Sequence, residues 1–226
     1  MIRSNDYYML VASLPAMPRS FEVERVPINR IRLEDRLGML ELEDARVVGQ
    51  VQDFLLWDRQ PRDRTDDEVI VRYDRLMREI DNPLVRHVVS FRMDVRTIVS
   101  AIRRRRLSLP PPSGVGQWVN RIAKNWSRPD FNLGHVNPWV IELDRLLGGD
   151  PLEDERRLLD VTWTHWSRLA DRYHFSFEAV VLYLARWEII DRWTRLDPAA
   201  GAQRFDGLVT EALGEHADIF GSADRD

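Results

Sequence analysis

One long amphipathic stretch near the middle of the chain, residues 83–106, constrains the fold most. Its apolar side chains recur at intervals of four, three, four, three and four residues, which places them on one stripe of an α-helix. Asn82 is a favourable N-cap, and Pro83 suits the first helical position, where an N–H is not needed. The stripe consists of Leu84, Val88, Phe91, Val95, Ile98 and Ile102. We therefore predict a long core helix with other helices packed around it.

Segments with helical spacing and capping signals recur on both sides of this stretch, whereas alternating strand patterns and hairpin turns are scarce. Predicted N-caps include Asp66, Ser113, Asn137, Asp150 and Ser176. The predicted helical segments lie near 31–40, 43–57, 66–80, 113–126, 137–148, 150–173, 176–196 and 197–213. Residues 7–14 are compatible with either an extended segment or a helical turn. The prediction is an all-α fold of helical hairpins packed around long central helices, in a single domain over 1–226 that only the linker 107–114 would subdivide.

Composition excludes several classes of protein. The 226 residues include 33 basic and 37 acidic ones, for a net charge of −4, which argues against a general nucleic-acid binder. There is no cysteine, so disulfides and thiol chemistry are excluded. No apolar run reaches the roughly 20 residues that span a bilayer, and the short apolar run near the start is interrupted by Ser13 and Pro15. We predict a soluble, cytoplasmic protein.

Histidines and acidic residues show no pattern typical of a catalytic or metal site. The five histidines are isolated in sequence, without the HExxH spacing, and we interpret them as structural. The acidic residues 150–155 open a predicted helix, where carboxylates interact favourably with the helix dipole, and this interpretation is preferred over a divalent cation site. No phosphate-binding loop and no nucleophile elbow occurs. The sequence therefore predicts neither catalytic residues, nor a cofactor, nor a metal, nor a small-molecule substrate.

Four consecutive arginines, residues 103–106, end the predicted central helix before Pro110. Cations stabilise a helix at its C-terminal end, which is a sufficient structural reason for the run. The run is also compatible with binding to an acidic protein partner, since arginine forms bidentate pairs with carboxylates. Contact with the phosphates of a nucleic acid is the third alternative.

Two stretches of the chain carry a resemblance to a known family. In the first, Asp94 is followed by Thr97-Ile98 and then by Ile102-Arg103; in the second, FEAVVLYLARWEIIDRW at 177–193 carries Glu188 and precedes RFDGLVTEAL at 204–213. These stretches resemble the C-type (also called d-type) central-stalk subunits of V-type and A-type ATPases, in which Asn is usual at the position of Thr97. The opening YYMLVASLP, residues 7–15, is similar to a shortened bacterial relative encoded beside the genes of a V/A-type ATPase.

The resemblance implies a funnel of helical hairpins that catalyses nothing. In that family the funnel sits on the membrane rotor ring and receives the foot of the central shaft. For this chain it implies a central-stalk component with shaft and ring proteins as partners, peripheral to the inner membrane through those partners. A helical adaptor or assembly factor, or an arginine-dependent nucleic-acid binder, are the alternatives. The predicted partner-binding residues are Arg92, Asp94, Arg96, Arg103, Arg104, Arg105, Arg106 and Glu188.

Overall fold

A computed structural model of the chain describes residues 7–56 and 65–196. Within these ranges the regular elements are nine α-helices and there is no β-strand, which confirms the predicted all-α class. The helices are α1 Tyr8–Ser13, α2 Arg30–Leu37, α3 Leu42–Leu55, α4 Asp66–Glu79, α5 Pro83–Arg106, α6 Val119–Lys124, α7 Trp139–Leu146, α8 Pro151–Ala170 and α9 Phe177–Leu196.

The central helix α5 has the bounds that the sequence predicts. The side chain of Asn82 accepts hydrogen bonds from the backbone N–H groups of Leu84 and Val85, at 2.9 and 3.1 Å, and Pro83 occupies the first turn. Twelve residues of α5 are buried, because the helix contacts α3, α6, α7 and α9. The expectation that α5 lies in the core with helices packed around it is confirmed.

Helix α5 contributes residues to two separate hydrophobic clusters. Its first half, up to Met93, packs with α1–α4 and with the hairpin of α8 and α9, which make the most extensive helix–helix contact in the described ranges. Its second half, from Val95, packs with α6 and α7. Phe91 touches both clusters. The change of cluster therefore falls inside α5 and not at the linker 107–114, and the single domain with a subdivision there stays a prediction.

Three predicted N-caps, Asp66, Ser113 and Asn137, are wrong. Thr65, not Asp66, caps α4, because its hydroxyl accepts from the N–H of Glu68 while the Glu68 carboxylate accepts from the N–H of Thr65. This reciprocal pair satisfies two N–H groups at once, which a cap at Asp66 would not. Ser113 caps no helix: residues 113–118 are irregular and α6 starts only at Val119.

Several predicted boundaries shift by a few residues. The structure places Pro138 rather than Asn137 at the N-cap of α7, and α8 ends at Ala170, three residues earlier than predicted. Residues 7–14 contain the short helix α1, which decides between the two alternatives. The predicted terminal helix at 197–213 lies outside the described residues. No helix within the described ranges is both long and apolar enough to cross a membrane.

Candidate partner-binding groove

Among the described residues, a concave surface lies where the end of α3 meets α5, α8 and α9. It consists of two adjoining cavities of about 290 and 410 Å³. Both cavities are lined by Leu55, Arg92, Leu159 and Arg192. We refer to the pair as the arginine groove, because the charged residues that line it are seven arginines and three carboxylates. These are Arg30, Arg92, Arg96, Arg103, Arg104, Arg192, Arg195, Glu155, Glu188 and Asp191.

Helical spacing explains why these charges face the same space. On α5, Arg92, Arg96 and Arg103 are separated by four and seven residues, so they lie on one side of the helix. On α9, Glu188, Arg192 and Arg195 follow the same rule with separations of four and three. Apolar residues occupy the other sides of both helices and hold them in the core. The groove is therefore the place where two charged stripes meet.

At the centre of the groove, charges of alternating sign come from three helices. Burial lowers the pKa of the Arg92 guanidinium, and the carboxylate of Glu188 acts against this shift. The neighbouring charge of Arg192 lowers the pKa of Arg92 further, while Glu155 raises it. Arg192 and Glu155 form an ion pair at 2.5 Å, although the Nε–H of Arg192 is not directed at a hydrogen-bond acceptor. Arg92 is thus a half-buried cation that depends on carboxylates of α8 and α9.

At one end of the groove, Asp191 bridges two arginines. Its Oδ2 lies 2.9 Å from Nη2 of Arg30 and 2.9 Å from Nη2 of Arg195. The guanidinium of Arg30 also lies over the indole ring of Trp187, 5.1 Å from its centre. One carboxylate therefore pairs with two guanidinium groups. The residues that line the groove keep an excess of positive charge, although the net charge of the chain is negative.

The structure brings together five of the eight residues predicted to bind partners. Arg92 and Glu188 line one cavity, and Arg92, Arg96, Arg103 and Arg104 line the other. Arg96 also lies 3.9 Å from Asp66 of α4. The two stretches that carry the family resemblance, on α5 and α9, are therefore in contact at the groove.

Arg105 and Arg106 lie elsewhere and bind the chain itself. Arg105 donates to the carbonyl of Arg128 and to Oδ1 of Asp144, both at 2.6 Å, and lies 4.4 Å above the ring centre of Phe131. Arg106 donates to the carbonyls of Asp144 and Leu147. These two arginines tie the end of α5 to α7 and to the loop before it, so the structural interpretation of the run applies to them.

Asp94 is only 2% exposed and does not line the groove, although the sequence selected it as a partner-binding residue. Its two carboxylate oxygens accept hydrogen bonds from the backbone N–H and the side-chain amide of Gln117, at 2.9 and 3.0 Å. Burial raises the pKa of Asp94 to about 6, against the opposing effect of these hydrogen bonds. One turn along α5, the Thr97 hydroxyl donates to the carbonyl of Val115 at 2.9 Å. The motif residues Asp94 and Thr97 thus anchor the segment that follows the linker.

Gly116 makes the anchoring by Asp94 possible. Its φ of +114° is rarely adopted by other residues, and an added Cβ would lie 2.1 Å from Oδ1 of Asp94. This close approach also explains why the segment starting at Ser113 does not enter a helix: its backbone is bound to α5 instead.

Sequence reasoning missed a histidine pair. The Nε2 atoms of His87 on α5 and His165 on α8 are 2.8 Å apart, and the ring of Phe91 stacks on His165 with 3.8 Å between centres. Burial lowers the pKa of both imidazoles; that of His165 falls to about 4, with further contributions from the charges of His87 and Arg168. The residues are 78 apart in sequence, so no local pattern could have predicted that they meet.

The acidic residues that open α8 are bound within the chain. Asp150 accepts from the N–H of Leu152 at 3.1 Å as the N-cap, and Asp154 accepts from the N–H of Gly148 at 2.6 Å. Glu153 pairs with Arg156 and Arg157. In the described ranges no three His, Asp or Glu side chains are grouped as metal ligands would be.

Comparison with known proteins identifies a family. Residues 40–215 match the model of a family described as "Protein of unknown function (DUF2764)". The match covers more than half of the chain, so the chain belongs to this family. No curated protein and no solved structure gives a significant match.

Proposed function

We propose that this chain is a non-catalytic, central-stalk component of a bacterial V/A-type ATPase, which joins the central shaft to the membrane rotor ring. The arginine groove is the surface that contacts an acidic segment of one of these partners. The chain would act in the cytoplasm and reach the inner membrane through its partners alone.

The observation that carries the proposal is the meeting of the two resembling stretches at one charged groove. Arg96 and Arg103 come from the first stretch, and Glu188 and Arg192 come from the second. Arginines that line a partly apolar concave surface are typical of protein interfaces, because the guanidinium forms directed pairs with carboxylates and packs on apolar groups. An acidic helix with a few apolar side chains fits such a surface.

A structural role fits the way the charged groups are used. Glu155, Glu188 and Asp191 act on neighbouring arginines and hold them in place. The proposal accordingly assigns the groove to binding and torque transmission rather than to chemistry.

Co-purification from native membranes tests the proposal. The tagged chain is expressed at its natural level, the membranes are solubilised in a mild detergent, and the bound proteins are identified and quantified. We expect shaft and ring proteins in stoichiometric amounts. A complete, active ATPase that lacks this chain would overturn the proposal.

The same experiment separates the alternatives. An assembly factor would be recovered with incomplete complexes and in less than stoichiometric amounts. A nucleic-acid binder would be recovered with nuclease-sensitive material, and its affinity would fall steeply with salt, since each phosphate contact releases counterions. Either result would contradict a stable stalk role.

A further inference from the structure

The chain itself supplies a candidate occupant of the arginine groove. Leu196 is the last described residue of α9, and both Leu196 and Arg195 line the groove. The segment 197–226 therefore starts at the edge of the groove and not on a distant surface of the molecule.

The charge of this segment complements that of the groove. Residues 197–226 include seven acidic and two basic residues, a net charge of −5, which exceeds the −4 of the whole chain. The groove has seven arginines and three carboxylates among its lining residues. The negative excess of the protein thus lies in one segment next to a concentration of arginines.

The apolar residues of the segment also suit the groove. Phe205, Leu208, Val209 and Leu213 follow helical spacing, which would place them on one face with carboxylates beside it. The groove offers partly exposed apolar side chains from three helices between its arginines, among them Leu55, Leu158 and Ala185. This sequence pattern of apolar residues flanked by acidic ones complements the apolar residues and arginines that line the groove.

We propose that residues 197–226 dock in the arginine groove and occupy it until a partner displaces them. The eight residues 197–204 can span up to roughly 26 Å when extended, enough to bring Phe205 over the groove. Attachment to α9 gives the segment an effective concentration in the millimolar range, so modest intrinsic affinity suffices. The competition with a partner rests on the proposed function, whereas the docking itself does not.

Paramagnetic relaxation in the full chain tests the docking. The chain has no cysteine, so Ser100→Cys provides a single site for a spin label, on a residue that lines the groove. At low salt we expect the amide signals of residues 205–213 to fall below half of their intensity in the reduced sample. The matched control places the label at Val136→Cys, an exposed residue that is not part of the groove lining, and should leave those signals unchanged.

Charge variants test whether electrostatic attraction causes the docking. Asp206→Asn, Glu211→Gln and Glu215→Gln together should abolish the broadening, and so should 1 M salt, which screens charges beyond about 3 Å. Neutralising Asp218, Asp224 and Asp226 instead removes the same number of charges away from the apolar residues and should leave most of the broadening.

Three results would overturn the proposal. They are intact signals for 205–213 with the Ser100→Cys label, equal broadening from both label sites, and broadening that grows with protein concentration, which would indicate docking between copies. If the broadening appears as expected but the chain recovers no ATPase components from membranes, the docking stands and the proposed function alone fails.

Discussion

Two groups of arginines on α5 belong to the same helix but have different surroundings. Arg105 and Arg106, at its end, donate mainly to backbone carbonyls of α7 and the loop before it. Arg92 and Arg103, further back, line an open groove and meet side-chain charges of other helices or solvent. Residue type and sequence neighbourhood therefore do not determine the role of an arginine here; the acceptor that it meets does.

The difference has an energetic consequence. A carbonyl held by tertiary structure fixes the position of its guanidinium, so losing the arginine leaves a polar group unpaired and reduces stability. An exposed arginine at the rim of a groove, such as Arg103, keeps its solvation, so replacing it changes stability little and changes what the groove can bind. The half-buried Arg92 is intermediate between the two cases. The end of α5 should thus be sensitive to unfolding measurements, and the groove to binding measurements.

The largest expected effect is that of Arg105→Ala. The substitution removes two hydrogen bonds and leaves Asp144, whose side chain is 23% exposed, without its cation. We expect a loss of about 2–3 kcal/mol in the free energy of unfolding, measured by urea denaturation. Arg103→Ala is the matched control on the same helix, with an expected change within about 0.5 kcal/mol. Equal losses for the two variants would contradict the distinction between the groups.

Asp94→Asn sharpens the comparison, since Asp94 lies on α5 between Arg92 and Arg103 in sequence but is buried. A pKa raised from 3.8 to about 6 means that this site contributes stability below pH 4 that is lost as the pH rises through 6. Asn cannot ionise, and the amide of Gln117 can reorient to pair with it. We expect the variant to be more stable than the wild type at pH 7, by up to about 3 kcal/mol, with the advantage vanishing near pH 4.

The measurement for Asp94→Asn is the urea midpoint at pH values from 4 to 8. Asp94→Ala serves as the control, because it removes the charge but also leaves the two donors of Gln117 unpaired, and it should be less stable than the wild type at pH 4. A midpoint difference between Asp94→Asn and the wild type that does not change with pH would contradict the role of burial.

A smaller effect is expected for the pair at the centre of the groove. Arg92→Met leaves Glu188 without its nearby cation and should cost about 1–2 kcal/mol, whereas the double variant Arg92→Met, Glu188→Leu should cost less than the sum of the single changes. A double-mutant cycle in urea measures the coupling, with an expected value of about 1 kcal/mol. Additive changes would show that Arg92 and Glu188 act independently.

Local sequence patterns predicted the parts of the fold that depend on neighbouring residues. Asn82-Pro83 and the 4-3 spacing determine α5, and Asp150 caps α8 as expected. Ser113 looked like a cap because it precedes an apolar run, but hydrogen bonds to Asp94 and Thr97 compete for the following segment. Such tertiary competition leaves no local signal.

The site was predicted in part for the same reason. Five of the eight selected residues line the groove because they share helix faces, and the spacing of Glu188, Arg192 and Arg195 could have added the last two. Nothing local distinguishes Arg103 from Arg105, since what differs between them is the partner on another helix. The central-stalk role and its partners stay predictions.

The most direct test of the groove as a partner-binding surface uses a variant with two charge reversals, Arg96→Glu and Arg103→Glu. The measurement is the amount of partner protein that this variant recovers from native membranes, relative to the wild type. The matched control reverses Arg32 and Arg36, two exposed arginines of α2 outside the groove. Far-UV circular dichroism and urea midpoints should show both variants folded. The account predicts at least tenfold lower recovery with the groove variant and wild-type recovery with the control. Wild-type recovery with both, or equal loss with both, would contradict it.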